Sequence, residues 1–229
     1  MASEHDGYDI EAIESALSAD RFAPYVQSAR GDRDLALTLY RLNTRVSASL
    51  YLPLQTLEVC LRNAFNDKLS AAYGEWWFER DTIVIDDRRR HDVTRAKDKL
   101  IDAGKRITPG RMIASLTLGF WTWCTTGPCQ DIIWRRGGVS KAFPGARRFP
   151  TQGDINSMLT PLRHLRNRVA HHEPVLYLPL EKHHRFCITL TEWLSPEMAR
   201  WAHTASTFDE TYNFNLATMM LSPNKRQSD

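Results

Sequence analysis

Apolar residues recur at steps of three and four along most of the chain, the spacing that puts them on one face of an α-helix. Asp32 or Asp34 can cap the clearest of these runs, and Gly74 is expected to end it. Pro53 falls inside the run and predicts either a kink or two abutting helices. The apolar positions of this run are Leu35, Leu39, Leu42, Val46, Leu50, Leu54, Leu57, Leu61, Phe65 and Leu69.

The same reading predicts further helices on both sides of this run and one looser stretch, 137–153, that is rich in glycine and proline. Pro161 is expected to kink or restart a helix that Thr151 or Asp154 caps and Pro174 stops. The other predicted helices are 10–17, 22–28, 86–103, 108–123, 180–194 and 196–204. With no internal repeat and no long linker, we expect an all-α protein with one domain over 1–229, a core of roughly 20–204 and a polar tail at 222–229.

Composition narrows the class of protein only moderately. The chain has 229 residues, of which 42% are hydrophobic, and its formal net charge is only +3. A globally basic nucleic-acid binder is therefore not indicated, and any attraction for phosphate has to be local. The first residues are polar, the apolar stretches are shorter than a membrane span, and none of the four cysteines forms a CxxC pair. These features predict a reduced, cytoplasmic protein without a membrane segment.

The segment that carries chemistry is 166–174, which reads Arg-Asn-Arg-Val-Ala-His-His-Glu-Pro. One imidazole can take the proton of an RNA 2′-hydroxyl, and a guanidinium can hold the phosphate as negative charge grows on it. We therefore interpret Arg166 as the phosphate ligand and His171 as a proton-transfer group. Asn167 can fix the imidazole tautomer or bind the sugar, and His172, or a histidine of a second copy, can protonate the leaving 5′-oxygen.

Helical geometry does not by itself bring Arg166 and His171 together, since five residues correspond to about 140° around the axis. The long arginine side chain relaxes this, and so does Pro174, which disfavours helix at Glu173. Two copies of the helix could also build one site from two motifs. The alternative interpretation is a solvated helix end, where histidine is favoured electrostatically and the arginines pair with carboxylates such as Glu173.

Other clusters leave alternatives open. Glu58 and Arg62 are four residues apart, and with Asn63 they form either a phosphate-facing cluster near Arg166 or a simple intrahelical ion pair. Arg62, Asn63, Arg163 and Arg168 are the candidate RNA contacts. The basic runs at 88–91 and 147–148 are interpreted as solvated faces, and most tryptophans as core. Adjacent histidine pairs are poor metal chelates, so neither a metal nor a cofactor is expected, and phosphate-binding and serine-hydrolase motifs are missing from the sequence.

Residues 166–174 closely resemble the signature of the Abi-like (abortive infection) proteins, a prokaryotic phage-defence family within the HEPN superfamily. Two further blocks are similar to that family, 57–63 (Leu-Glu-Val-Cys-Leu-Arg-Asn) and 114–121 (Ala-Ser-Leu-Thr-Leu-Gly-Phe-Trp). Leu118 departs from the family pattern, which often has phenylalanine there.

The resemblance implies a HEPN-like helical bundle with additional helices. It also implies a metal-independent endoribonuclease of phage defence whose site is composite across a homodimer. RNA and an RNA or protein antitoxin are the implied partners. The alternative it leaves open is a HEPN scaffold that binds RNA or protein without cutting.

Overall fold

The computed structural model describes residues 9–212, which contain no β-strand. The all-α fold class is therefore confirmed for this part of the chain, whereas a HEPN-like bundle stays a prediction. The tail at 222–229 lies outside the described residues. The α-helices are α1 (Ile10–Leu17), α2 (Ala19–Ser28), α3 (Arg33–Ser49), α4 (Tyr51–Tyr73), α5 (Asp87–Asp102), α6 (Pro109–Ser115), α7 (Leu118–Trp123), α8 (Gln152–Ala170), α9 (Leu180–Leu194), α10 (Pro196–Ala205) and α11 (Phe208–Thr211). Short 3₁₀ turns at Trp77–Glu79, Gly127–Cys129 and Val139–Lys141 and a π-helix at Gln130–Arg136 complete the described elements.

Local signals in the sequence account for several helix ends. The Asp32 carboxylate accepts a hydrogen bond from the Leu35 N–H and so caps α3. Helices α3 and α4 abut at Leu50, so the alternative of two helices is confirmed. Pro53 lies in the first turn of α4, where its missing N–H costs no helical hydrogen bond. Gly74, at φ +87°, ends α4 as expected.

The prediction of one helix over 108–123 is wrong. The structure has two, α6 and α7, because the backbone is extended at Leu116 and Thr117. Leu116 and Leu118, which lie on either side of this break, are both buried. By contrast, Pro161 does not restart α8, which runs unbroken from Gln152 to Ala170. The sequence reading did not predict α11 or the π-helix.

The described chain divides into two compact units whose segments alternate along the sequence. The first unit comprises 9–51, 167–180 and 206–212. It packs α1, α2 and α11 against α3. Phe22 and Tyr25 are buried, and the Tyr25 and Tyr40 rings meet edge to face with centroids 5.2 Å apart.

The second unit comprises 52–166 and 181–205. Its core is rich in aromatic residues, as the sequence predicted. Trp77 is fully buried, contacts the rings of Phe120 and Trp121, and donates from Nε1 to Asn66 Oδ1 at 3.0 Å. Trp76 next to it is 39% exposed, so not every tryptophan belongs to the core. The expectation of a single domain stays a prediction.

No helix within 9–212 is both long enough and apolar enough to span a membrane. All four cysteines are free thiols, and three of them are buried. Burial raises the pKa of the Cys129 thiol to about 11 and raises that of Cys187 still further.

Candidate functional site

Helix α8 carries the motif arginine and begins with a reciprocal cap. The Asp154 N–H donates to Thr151 Oγ1 at 3.1 Å, and the Thr151 N–H donates to Asp154 Oδ2 at 3.0 Å. Both residues therefore cap the helix, where the sequence had left a choice between them. Hydrogen bonds from Thr151 hold the pKa of the Asp154 carboxyl below its ordinary value. Gln152 Nε2 donates to Thr126 O at 2.7 Å, which ties the start of α8 to the segment after α7.

Arg166, in the second unit, pairs with a carboxylate of α4. Its Nε donates to Glu58 Oε2 at 3.3 Å; the Arg166 side chain is 39% exposed and that of Glu58 18%. Within the described residues Glu58 pairs with Arg166 and not with Arg62, so the alternative of an intrahelical ion pair between Glu58 and Arg62 is wrong. The pair leaves the terminal amino groups of Arg166 without a partner among residues 9–212, and these are the groups that can hold a phosphate as a fork.

The candidate RNA contacts differ in their surroundings. Arg62 is half-buried, and its Nε has no hydrogen-bond partner within 9–212. Asn63 is exposed. Arg163 is half-buried, with Nη2 3.4 Å from the neighbouring ring nitrogen of His164. Arg168, in the first unit, forms an ion pair with Glu173 at 3.3 Å, as the alternative interpretation of a solvated helix end had predicted for an arginine of the motif.

The motif histidines, in the first unit, lie at an ordered helix end. The His172 N–H donates to Val169 O at 3.2 Å and the Glu173 N–H to Arg168 O at 2.8 Å. These two bonds form a Schellman motif, whose C′ position takes the left-handed conformation and is usually glycine. Here His172 occupies that position at φ +57°. The helix ends before His171, as Pro174 predicted, but it ends in a defined turn and does not simply unravel.

Arg21 of α2 closes this turn from outside the motif. Its Nη1 donates to the carbonyl oxygens of His171 at 2.8 Å and His172 at 2.6 Å. These carbonyls belong to the helix end, which leaves its last acceptors without helical partners, and a guanidinium there also complements the helix dipole. Sequence reasoning missed Arg21 because it lies 150 residues away and no local pattern marks it.

Asn43 of α3 holds the chain that follows. It is 3% exposed, its Oδ1 accepts from the Val175 N–H at 2.7 Å, and its Nδ2 lies 3.4 Å from Glu173 O. Besides these two Asn43 contacts, Arg168 also holds this segment, because its Nε donates to Pro174 O at 3.0 Å. A buried amide that serves one donor and one acceptor fixes the path of 173–175.

The side chains of Asn167, His171 and His172 point into solvent. All three residues are exposed, and within 9–212 neither imidazole makes a hydrogen bond or an ion pair. The backbone of the two histidines is thus held by hydrogen bonds, while their rings are exposed to solvent. The structure brings these three residues together at the end of α8, with Arg166 one residue before them in the helix.

Two other predicted clusters come out differently. The solvated reading of the run at 88–91 is wrong for Arg89, which is buried with Nη1 2.5 Å from Asp92 Oδ2. His183 and His184 are buried in α9, and burial lowers the pKa of His183. Among residues 9–212 there is no group of three or more His, Cys, Asp or Glu residues arranged to hold a metal ion.

Comparisons of the chain with protein-family models, with curated proteins and with solved structures each returned no match.

Proposed function

We propose that this protein is a metal-independent endoribonuclease of the HEPN type that acts in phage defence. The observation that carries the proposal is the pair of exposed imidazoles of His171 and His172, which have no partner among residues 9–212 and stand on a backbone that Arg21 holds in place. General acid–base catalysis needs a proton-transfer group that is positioned but not already engaged. The ordered turn positions the two imidazoles, and no other residue within 9–212 engages their rings.

In the proposed reaction the RNA 2′-oxygen attacks the adjacent phosphorus. One imidazole takes the 2′-hydroxyl proton, the bond from phosphorus to the 5′-oxygen breaks, and a second imidazole gives that oxygen a proton. The products are a 2′,3′-cyclic phosphate and a 5′-hydroxyl, and DNA is inert because it lacks the nucleophile. His171 supplies one of the imidazoles, and the other comes from His172 or from a second copy of the chain.

Arg166 is the proposed ligand of the non-bridging phosphate oxygens. Glu58 holds the arginine through Nε, and this leaves both terminal amino groups for a forked contact with the phosphate. A site shared by two copies of the chain, as the resemblance implies, would place the Arg166 of one motif against the His171 of the other. The role in phage defence and the antitoxin partner rest on the resemblance alone.

The test is cleavage of a mixed pool of tRNA and single-stranded RNA in EDTA. The native chain is compared with His171→Ala and Arg166→Ala, and with the controls His203→Ala and Arg200→Ala, which change an exposed histidine and a carboxylate-paired exposed arginine of α10. We expect cyclic-phosphate ends from the native chain and from both controls. Loss of a general acid–base group lowers the rate by about 10²–10⁴-fold.

Cleavage that survives His171→Ala contradicts the site, and cleavage that needs a divalent ion contradicts the mechanism. Binding of RNA without cleavage by the native chain would favour the non-catalytic scaffold. For the biological role, a bacterial host expressing the native chain should restrict phage growth, and the same host expressing His171→Ala should not.

A further inference from the structure

The segment that follows the motif presents an exposed aromatic ring, that of Tyr177. The Leu178 N–H donates to Val175 O at 2.9 Å, which closes a β-turn with Tyr177 at its third position. Val175 and Leu176 are buried, whereas Tyr177 is 58% exposed. The two apolar residues therefore anchor the turn in the first unit, and the tyrosine side chain stands out from it. The sequence reading gave no role to Tyr177.

The guanidinium group of Arg168 lies over one face of this ring. Its Cζ is 5.1 Å from the centroid of the Tyr177 ring, within the range of a cation–π contact. The same guanidinium donates from Nε to Pro174 O at 3.0 Å and pairs through Nη1 with Glu173 Oε2 at 3.3 Å. These two bonds fix the guanidinium, and the guanidinium in turn fixes the orientation of the ring. A ring held in this way loses little further freedom when it binds a ligand, which lowers the cost of binding.

The remaining surface of the Tyr177 ring is accessible. More than half of the side chain is exposed although Arg168 already lies over one face, so the exposed surface belongs to the other face and the edge. No second aromatic ring among residues 9–212 stacks on it. An exposed, oriented ring of this kind is the surface on which nucleic-acid bases stack, and an arginine on the far side adds to the interaction.

Tyr177 belongs to the same helix end as the two exposed imidazoles. Arg168 precedes His171 by three residues, about 4.5 Å along a helix axis, and its side chain contacts the ring. Arg168, Tyr177 and both motif histidines lie in the first unit. A strand whose reacting linkage lies at the imidazoles can therefore place a nearby base on the ring.

We propose that Tyr177 binds an unpaired base of the RNA substrate by stacking, close to the linkage that is cleaved. The proposal rests on the proposed function, since it takes the ligand to be the RNA that the imidazoles cleave. Stacking on a protein ring requires a base that has left its own helix, so the substrate is single-stranded at this nucleotide. Every base has a π face, and the contact therefore selects the state of the strand and not its sequence.

Tyr177→Leu is the variant that tests the stack, because it removes the ring and keeps an apolar side chain. Tyr177→Phe retains the ring and should bind RNA as the native chain does. Tyr51→Leu is the matched control, since Tyr51 is 63% exposed and no cation among residues 9–212 lies over its ring. The Tyr177 side chain is mostly exposed, so its loss should leave the thermal unfolding midpoint close to the native value.

The assay is the fluorescence anisotropy of two labelled oligonucleotides whose 2′-oxygens are methylated and which therefore cannot be cleaved. One is an intact single strand, and the other has the same backbone without bases. Tyr177→Leu should bind the intact strand about 5- to 150-fold more weakly, the effect of losing one stacked base. It should bind the abasic strand as the native chain does, because a contact with a base is lost only once. Tyr51→Leu should bind both strands with native affinity.

Native affinity of Tyr177→Leu for the intact strand overturns the inference, and so does failure of the native chain to bind that strand. An equal loss of affinity for both strands also overturns it, because the ring would then act by positioning Arg168 against a phosphate. A change of molar mass in sedimentation equilibrium of Tyr177→Leu overturns it in favour of a contact between two copies of the chain.

The same measurements separate this inference from the proposed function. If Tyr177→Leu loses affinity for the intact strand alone while the native chain cleaves no RNA, the stack stands and the ribonuclease fails. If the native chain cleaves RNA and Tyr177→Leu binds the intact strand normally, the ribonuclease stands and the stack fails.

Discussion

His172 carries a side chain where the chain turns through the left-handed region, at φ +57°. There the Cβ of an L residue crowds the next carbonyl oxygen, which costs about 1–2 kcal/mol. Glycine avoids the crowding, but the greater freedom of its unfolded chain opposes the gain by about 0.5–1 kcal/mol. We therefore expect His172→Gly to be more stable than His172→Ala by about 0.5–1 kcal/mol, or by about 1–4 °C in Tm for a chain of this size.

Comparing His172→Gly with His172→Ala separates the effect of the His172 backbone conformation from the effect of its imidazole. Both variants lack the ring, so a chemical role for His172 predicts equal losses of ribonuclease activity, while only the stability differs. Arg30 is an internal replicate, because it ends α2 at φ +55° with the same pair of hydrogen bonds, Arg30 N–H to Gln27 O and Gly31 N–H to Val26 O. His171 is the opposite control: it is not left-handed, so glycine there should be the less stable of the two by about 0.5–1 kcal/mol.

The assay is urea unfolding followed by circular dichroism, with cleavage measured on the same preparations. Equal stability of the glycine and alanine variants at His172, with the expected difference at Arg30, would refute the reasoning for the α8 end. If His172→Gly keeps the native ribonuclease activity and His172→Ala loses it, His172 acts through the backbone turn and not through its ring.

Three further predictions concern buried polar groups. The Tyr25 hydroxyl is buried with no hydrogen-bond partner among residues 9–212, so Tyr25→Phe should be neutral or stabilising by up to about 1–3 kcal/mol in chemical unfolding. Burial, with Tyr40, raises the pKa of Tyr25 from 10.0 to about 12. The free energy of unfolding should therefore not depend on Tyr25 ionisation below pH 10 and should fall as the pH rises from 10 through 12, and Tyr25→Phe should flatten that slope. Burial lowers the pKa of His183 below 6.5, so stability should fall as the pH drops below that value, and His183→Gln should reduce this fall. Asn43→Ala leaves the Val175 N–H without its acceptor and should destabilise the protein by about 1–3 kcal/mol, whereas an unchanged unfolding midpoint would contradict the brace assigned to Asn43.

Local sequence predicted the helices well where one residue controls a helix end. Asp32, Thr151 and Gly74 act through atoms within a few residues of themselves, so their effect can be read from the chain alone. The break between α6 and α7 could not be read in this way. It depends on how Leu116 and Leu118 are both buried, and burial is a property of the assembled core.

The candidate site likewise has features that local sequence determines and features that depend on tertiary packing. Sequence alone determined the residue types of the motif, its place at the end of a helix and the stop at Pro174, because helix periodicity and proline act locally. Only the tertiary structure decided that Arg21 and Asn43 hold the turn and that Glu58 pairs with Arg166 and not with Arg62. These partners lie more than a hundred residues apart in the chain, and nothing in the spacing of a chain fixes which distant side chains meet. Packing of the helices brings them together, and the hydrogen bonds and ion pairs then form between whichever groups the packed helices place within reach.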